Sequence, residues 1–149
     1  MINQFKGRWY FLSNDFPARV MLGDDCYPTV THALLVANLV KPKRSDIVKI
    51  SGCGYAHTAR RVAREMKSKP WNHDNIASIL PNLLGQKYEG NRLTGKLLET
   101  GHADLIYENQ EQDIVLGTYK GIGMNLLGNL TMEARNKYRA QRERSEQPY

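Results

Sequence analysis

Thr31 and Asn38 are the polar residues whose spacing first suggests a reactive surface. They lie in the stretch YPTVTHALLVANL, residues 27–39, which is predicted to be a helix. Seven positions make about two helical turns, so the two side chains project from nearly the same face. Neither is an acid or a base, since a threonine hydroxyl can hold a water molecule but does not ionise near neutral pH. Proton transfer at this face would need an ionisable group from elsewhere in the chain.

Cysteine and histidine, the usual ligands of transition metals, are few and scattered. Cys26 and Cys53 form no C-x-x-C pair and are too few for a disulfide framework or a zinc site, so we expect free thiols. The histidines complete no H-E-x-x-H motif and no metal-ligand spacing with a cysteine. We therefore predict no structural metal and no cofactor. The histidines are His32, His57, His73 and His102.

Positive charge is concentrated in one segment. The chain has a net charge of +6, and residues 41–69 alone carry nine Lys or Arg against two acidic residues, a local +7. Within this segment, Arg60, Arg61 and Arg64 are predicted to lie together on the polar side of one helix. Such a segment can meet phosphate on a nucleotide or on a nucleic acid. A solvated helix face followed by a loop explains the same charges, and both interpretations stay open.

The elements that would position these residues are mainly helices with short strands. The turn formers in LGDD, between two short apolar runs, indicate a hairpin, with strands near residues 9–11, 20–22 and Cys26. Apolar spacings of three and four predict a first helix that begins near Tyr27 or Pro28. Further helices are expected at about residues 45–50, 55–67 and 75–88, the last with Asn72 or Asp74 as its cap and a kink or split at Pro81. A short helix should end at Gly101, and a long one should run from Leu130 toward Arg144. Between these two we expect an extended run at 103–107 and a glycine-rich loop at 117–128.

The length and composition predict one domain. With 149 residues, 41% of them hydrophobic, residues 1–149 can form a single core, followed at 136–149 by a polar tail expected to be frayed. No apolar run approaches the roughly 20 residues of a membrane span, and the first residues lack the pattern of a secretory signal, so we expect a cytoplasmic protein without a membrane partner. The stretch GIGMNLLG completes no phosphate-binding glycine motif, which argues against a Rossmann fold.

Several blocks of the sequence together resemble the NADAR family, which is named for an association with NAD and ADP-ribose metabolism. They follow in the family's order over about residues 5–135: FLSND, LGDDCYPTVTHA, KPWN, QKYEGN, LLETG with ADLIYEN, and GIGMNLLGNLTMEAR. The resemblance implies an α+β domain, mainly helical with short strands, and an N-glycosidase activity. Similar members act on riboflavin-pathway intermediates or remove ADP-ribose from guanine bases, and both kinds of substrate carry phosphate.

The resemblance also implies a set of site residues. Asn14 and Trp71 match ligand-binding positions, and Trp71 can stack a base or a flavin-like ring if it lines the site. Asp113 and Gly117 match one further block near the ligand, and Asn125 matches another. Structural roles remain open for three of them: Trp71 as a core aromatic, Asp113 as a brace of the glycine-rich loop, and Asn125 as a left-handed turn residue.

Three positions depart from the family's pattern. Thr31 stands where the family has its principal catalytic glutamate, Asn38 where it usually has lysine, and Leu116 where it has tryptophan. Breaking an N-glycosidic bond develops positive charge on the sugar carbon and needs a positioned water, tasks that suit a carboxylate. The joint loss of the glutamate and the lysine leaves neither charge unpaired. Thr31 and Asn38 are therefore expected to contact the ligand without supplying the acid.

A carboxylate from another position could take over catalysis. Asp15 directly follows LSN, where the family has an aromatic residue, and lies near the pocket if that block keeps its place. The alternative for Asp15 is a turn residue or a helix cap. Asp113 and Glu108 are further candidates, and Asp15 and Asp113 are the predicted catalytic pair. His32, on a helix rich in apolar residues, is expected to be a hydrogen-bonded structural residue.

These residues lead to three functional hypotheses. The first is a NADAR-type N-glycosidase that hydrolyses the N-glycosidic bond of a phosphorylated ribose substrate, an ADP-ribose conjugate or a riboflavin-pathway intermediate, with an altered catalytic acid. The second is an inactive protein that binds or sequesters an ADP-ribose-type nucleotide. The third is a nucleic-acid-binding module that uses residues 41–69. The expected partners are a phosphorylated ribose or nucleotide ligand and, beyond that, ADP-ribosylated nucleic acid.

Overall fold

The structure, a computed structural model, describes residues 1–70 and 72–146. The chain divides into two compact units. The central unit is Ser13–Asn91, and the terminal unit combines Met1–Leu12 with Arg92–Tyr149. Helices predominate beside a two-stranded sheet, so the predicted α+β class is confirmed. Within the described residues, none of the helices has the length and apolar character that a membrane span requires.

The central unit begins with the hairpin that LGDD predicts. Strand β1, Val20–Leu22, pairs antiparallel with β2, Asp25–Tyr27. Gly23 in the turn has a φ of 63°, a conformation that glycine adopts without steric cost. The hairpin leads into helices α1, Val30–Ala37; α2, Arg44–Ser51; α3, Ala56–Arg64; and α4, His73–Gly90.

Helix α1 lies at the centre of this unit and packs against α2, α3 and α4. It begins after Thr29, whose side chain accepts a hydrogen bond of 3.2 Å from His32 N. The expected start near Tyr27 or Pro28 is therefore too early, because a threonine side chain satisfies an N–H of the first turn that those side chains cannot.

Helix α3 ends at Arg64, three residues before the predicted end. The residues that follow Arg64 are no longer helical, because their backbone groups pair with the residues at the end of α1. Val40 N donates to Lys67 O at 2.9 Å, and Lys69 N donates to Asn38 O at 2.8 Å. Backbone pairing between distant segments thus replaces the last helical turn that the apolar spacing favours.

Helix α4 begins at the predicted cap, Asn72, whose side chain accepts from Asn75 N at 3.2 Å. Pro81 lies inside the helix, which continues across it from His73 to Gly90, so the predicted split does not occur. One face of α4 is buried. The buried residues of this helix are Ile76, Leu80, Leu83, Leu84, Lys87 and Tyr88.

The terminal unit starts with a 3-10 helix, Gly7–Leu12, where the sequence predicts a strand at residues 9–11. That prediction is wrong because Phe11 and Leu12, adjacent in sequence, are both buried, whereas a strand would send them to opposite faces. Gly7, with a φ of 59°, turns the chain into this helix. Met1–Leu12 also pairs with the predicted extended run, through Ile2 N and Asp104 O at 2.8 Å.

Two helices complete the terminal unit. Helix α5 is Thr94–Leu98, and α6 is Leu126–Glu146. The start of α6 precedes the predicted start by four residues, because Asn129 N already donates to Asn125 O at 2.9 Å. Residues 136–146 of the predicted tail are helical, and residues 147–149 lie outside the described residues.

Candidate functional site

The segment Ser13–Asp15, called the SND turn below, gathers polar groups in the central unit. Phe16 N donates to Ser13 O at 3.2 Å, and Asp15 N donates to Ser13 Oγ at 3.1 Å, which closes the turn. Thr31 N, in the first turn of α1, donates to Asn14 O at 3.1 Å. The SND turn is therefore attached to the beginning of α1.

The Asp15 carboxylate is bound by side chains from two helices. The Thr31 hydroxyl of α1 donates to Oδ1 at 2.5 Å. The Arg60 guanidinium of α3 donates through Nη2 to Oδ1 at 2.5 Å and through Nη1 to Oδ2 at 2.8 Å. A bidentate pair of this kind fixes orientation as well as distance. Asp15 therefore lies beside Thr31, as the hypothesis of a relocated carboxylate requires.

The charge state of Asp15 follows from these partners. Burial is the largest single effect and raises the pKa of Asp15, but the hydrogen bonds from Arg60 and Thr31 and the charge of Arg60 outweigh it. The pKa consequently lies below its ordinary value of 3.8. The carboxylate stays ionised at neutral pH, so it is suited to stabilise positive charge and poorly suited to donate a proton.

Lys87 of α4 is a residue of this site that the sequence-based prediction did not include. Its side chain is 0% exposed, and Nζ donates to Ser13 O at 2.7 Å. Burial lowers the pKa of Lys87 to about 7, although the charge of Asp15 acts to raise it. A signal was present in the sequence, because the lysine occupies an apolar stripe of spacing three and four. The other members of that stripe are Leu80, Leu83 and Leu84.

His32 is fully buried next to the site and is hydrogen bonded through both ring nitrogens, as expected for a structural histidine. Nε2 lies 2.8 Å from Cys53 O and Nδ1 lies 2.7 Å from Thr29 Oγ1. Because a carbonyl can only accept, Nε2 carries the proton in the neutral ring. Burial is the main cause that lowers the pKa of His32, against the Cys53 hydrogen bond and the charge of Asp15, so the ring is neutral at pH 7.

The remaining predicted residues of the central unit have different surroundings. Asn14 is 8% exposed, and its Oδ1 has no hydrogen-bond partner among the described residues. Asn38 is the C-cap of α1, at the end of that helix away from the SND turn, and its side chain donates to Lys69 O. Trp71 lies outside the described residues. The structure thus brings Asn14 and Asp15 to Thr31 but leaves Asn38 apart.

The predicted arginine face of α3 is divided. Arg60 is half-buried and bound to Asp15, whereas Arg61 and Arg64 are exposed. Arg60 is thus directed toward the half-buried Asp15 carboxylate, while Arg61 and Arg64 on the same helix face solvent. Exposed Tyr55 stacks on His57 at the start of the same helix, with ring centroids 5.6 Å apart.

Asp113 braces the glycine-rich loop of the terminal unit. Its Oδ1 accepts from Val115 N at 3.0 Å and from Leu116 N at 2.9 Å. Its own N–H donates to Asn109 Oδ1 at 2.9 Å. Asn109 is buried and also donates to Thr118 O at 3.0 Å, a bracing role that the sequence-based prediction missed. Asp113 therefore has the structural role that the sequence left open as an alternative.

Gly117 and Asn125 fix the backbone of the same loop. A Cβ at Gly117 would lie 2.0 Å from Tyr107 O, so only glycine fits there. Asn125 has a φ of 49°, the left-handed conformation expected of a turn residue. Its Oδ1 accepts from Tyr107 N at 2.9 Å, and its Nδ2 donates to Leu105 O at 3.0 Å. Both residues hold the loop against the segment that contains Tyr107.

The two remaining residues singled out in the sequence of the terminal unit, Glu108 and Leu116, also have structural surroundings. Glu108 accepts from the Thr118 hydroxyl and from Gly121 N. Leu116 is buried, with 6% of its surface exposed. Within residues 1–70 and 72–146, no group of three or more His, Cys, Asp or Glu is placed to hold a metal ion.

Comparison with solved structures identifies the architecture. The NMR structure of the E. coli protein YbiA superposes with a TM-score of 0.75 and 22% sequence identity, over 99% of this chain and 88% of YbiA. The chain has the fold of YbiA. Because the match to YbiA extends over nearly the whole chain, it includes the elements of both units. No protein-family model matches the sequence, and no curated protein matches it.

Proposed function

We propose that the chain is a NADAR-type N-glycosidase that hydrolyses the N-glycosidic bond of a phosphorylated ribose, with Asp15 as the catalytic carboxylate. The hydrogen bond of 2.5 Å from the Thr31 hydroxyl to Asp15 Oδ1 carries the proposal. It brings an ionised carboxylate next to the position where the resemblance leads us to expect the glutamate. The fold shared with YbiA agrees with that resemblance.

The chemistry needs stabilisation of positive charge on the sugar carbon and a directed water. Asp15, ionised because its pKa is lowered, supplies the negative charge. The Thr31 hydroxyl donates its hydrogen bond to the Asp15 carboxylate, so the lone pairs of the hydroxyl oxygen can accept a hydrogen bond from a water. The water oxygen bonds to the sugar carbon as the carbon–nitrogen bond breaks, and the proton lost by the water finally resides on the released base.

Arg60 favours a second candidate, a protein that binds an ADP-ribose-type nucleotide without turnover. Its guanidinium contacts both oxygens of Asp15 and offsets the negative charge that catalysis requires. An arginine released from Asp15 on ligand binding would be suited to a phosphate group, with which it also forms bidentate contacts.

Exposed basic residues support a phosphate-bearing ligand for both candidates. Arg61 and Arg64 face solvent on α3, together with Lys67 and Lys69 beyond its end. Their charges attract phosphate at long range, on a free nucleotide or on a nucleic acid that carries ADP-ribose. A steep decrease in affinity with salt would favour nucleic acid as the partner if neutralising Arg61 and Arg64 weakened binding and made that dependence less steep.

The decisive experiment is a turnover assay with a matched pair of variants. The substrates are an oligonucleotide with ADP-ribose on guanine and a ribosylated aminopyrimidine phosphate, and release of base and sugar is followed by chromatography. Asp15→Asn should lower kcat/KM by about a hundredfold or more. Asp24→Asn, which removes an exposed carboxylate of the same unit, should leave it unchanged.

Each outcome separates the candidates. Turnover that depends on Asp15 and not on Asp24 supports the glycosidase. Calorimetric binding of ADP-ribose without turnover of either substrate supports the binding protein. Turnover that survives Asp15→Asn contradicts the role given to Asp15, and the absence of both binding and turnover contradicts both candidates.

A further inference from the structure

Lys87 is unusual because an ammonium group lies fully inside the central unit. Its side chain is 0% exposed, and the hydrogen bond from Nζ to Ser13 O is the one that the described residues provide. None of the ion pairs among the described residues includes Lys87. Nζ also lies 5.1 Å from the centroid of the Tyr88 ring, but that contact accepts no conventional hydrogen bond, and a single carbonyl leaves two of the three N–H donors of an ammonium group without an acceptor.

The free energy of folding does not explain why position 87 holds a lysine. Burying a charge without a bonded counter-charge is unfavourable, and an apolar side chain of similar length would suit the stripe formed by Leu80, Leu83 and Leu84. The Ser13 carbonyl does not depend on the lysine, because Phe16 N also donates to it at 3.2 Å. The contact of Lys87 with the SND turn is therefore better explained by the Asp15 carboxylate that the turn carries.

We propose that Lys87 is a positioning residue that holds the SND turn through the Ser13 carbonyl, so that Asp15 stays within reach of Thr31 and Arg60. The proposal rests on the function proposed above. Three helices then fix one turn: α1 binds the Asn14 carbonyl and the Asp15 carboxylate, α3 binds that carboxylate, and α4 binds the Ser13 carbonyl. Lys87 acts through Ser13 and does not touch the substrate.

Charge couples Lys87 to the same carboxylate. Asp15 is the charged group that acts on the ammonium and favours its protonated form. Arg60 and His32 are the further charged or titratable groups whose charges act on Asp15. Because the coupling is mutual, removal of the Asp15 charge should release the Lys87 proton at a lower pH.

The test compares Lys87→Met with Lys96→Met, which removes an exposed lysine. For the glycosidase, Lys87→Met should lower kcat tenfold or more and change KM less than threefold, because substrate contacts remain while Asp15 is displaced. Urea unfolding at pH 7 should show that the variant is folded and at least as stable as the parent. Unchanged kcat in Lys87→Met, or an equal loss in Lys96→Met, would overturn the proposal.

A second measurement keeps the proposal independent of catalysis. In NMR spectra, Lys87→Met should shift the Thr31 amide and the Arg60 side-chain signals, since both groups are bonded to the SND turn, and Lys96→Met should not. Titration of the Lys87 carbon next to Nζ should give a lower pKa in Asp15→Asn than in the parent. If turnover is absent but these shifts occur, the proposed function fails and the positioning role stands. If the signals and the titration stay unchanged, the positioning role fails by itself.

Discussion

The Thr31 hydroxyl donates a hydrogen bond of 2.5 Å to Asp15 Oδ1, although the two residues are 16 positions apart in the chain. The negative charge beside the start of α1 thus comes from the SND turn and not from the helix. Arg60 binds the same carboxylate, so a change at any of these three positions alters the charge balance of the other two.

Moving the carboxylate from Asp15 to position 31 should preserve activity in part. Thr31→Glu alone places two carboxylates in contact, which repel each other, so we expect a less stable protein with reduced turnover. The double variant Asp15→Asn, Thr31→Glu restores one carboxylate beside Arg60 and should turn over substrate at least tenfold faster than Asp15→Asn. Steady-state kinetics on the three variants test this, and equal rates for the single Asp15→Asn variant and the double variant would contradict it.

Asp15 should make stability depend on pH in the acid range. Its pKa in the folded protein is below the ordinary value of 3.8, so its contribution is present above about pH 4 and is lost as the pH falls through the folded-state pKa. Asp15→Asn should lower the free energy of unfolding at pH 7 by about 2 kcal/mol. Urea titrations from pH 7 to pH 3 should show the two proteins converging, whereas a constant difference would exclude this linkage.

Arg60 should control the ionisation of Asp15. In Arg60→Gln, burial still raises the pKa of Asp15 while the main hydrogen bonds and charge that lower it are lost. The acid limb of the activity profile and the Asp15 carboxyl titration, followed by carbon NMR, should therefore move to higher pH. Arg61→Gln is the matched control, since that side chain is exposed. A limb that moves equally in both variants would indicate a general charge effect.

Gly117→Ala should destabilise the terminal unit by about 3 kcal/mol, because a Cβ there would lie 2.0 Å from Tyr107 O. Gly95→Ala is the control within the same unit, since its Cβ meets nothing within 4 Å and helix α5 gains an alanine. Thermal unfolding of the two variants gives the comparison. A mild effect at Gly117 would mean that the loop backbone yields easily.

Asn125 should contribute both its conformation and its hydrogen bonds to the loop. Asn125→Gly keeps the φ of 49° accessible but loses the bonds to Tyr107 N and Leu105 O. Asn125→Ala adds the strain of a left-handed residue, about 1 kcal/mol. Urea unfolding should therefore rank the parent above Asn125→Gly and Asn125→Ala lowest. The reverse order of the two variants would contradict the conformational argument.

Local signals in the sequence predicted much of the fold. The hairpin followed from LGDD, the cap of α4 from Asn72, and the helices from apolar spacing, because these features depend on neighbours in the chain. The end of α3 was misplaced since Lys67 and Lys69 pair with the distant end of α1. Pairing of this kind leaves no periodic trace in the sequence.

The site was predictable only in part for the same reason. Asp15 was proposed from its position after LSN, but its bond to Arg60 spans 45 positions and depends on how α3 packs. Lys87 was not predicted because a lysine is rarely fully buried, so its type suggests solvent even within an apolar stripe. Asp113 and Asn125 were predicted from the resemblance as site residues, and only the structure shows that their side chains bind backbone groups of the loop.

The contacts of the SND turn also bear on the order in which the central unit folds. The turn is bonded to residues 16, 45 and 74 positions away, in α1, α3 and α4. Closing such long loops is entropically unfavourable, so we expect these contacts to form after the local hairpin. A partly folded chain without α4 would have a loose, solvated Asp15. The environment of this one carboxylate would therefore report whether the central unit has finished folding, because the hairpin can form from neighbouring residues while Asp15 is still unbonded.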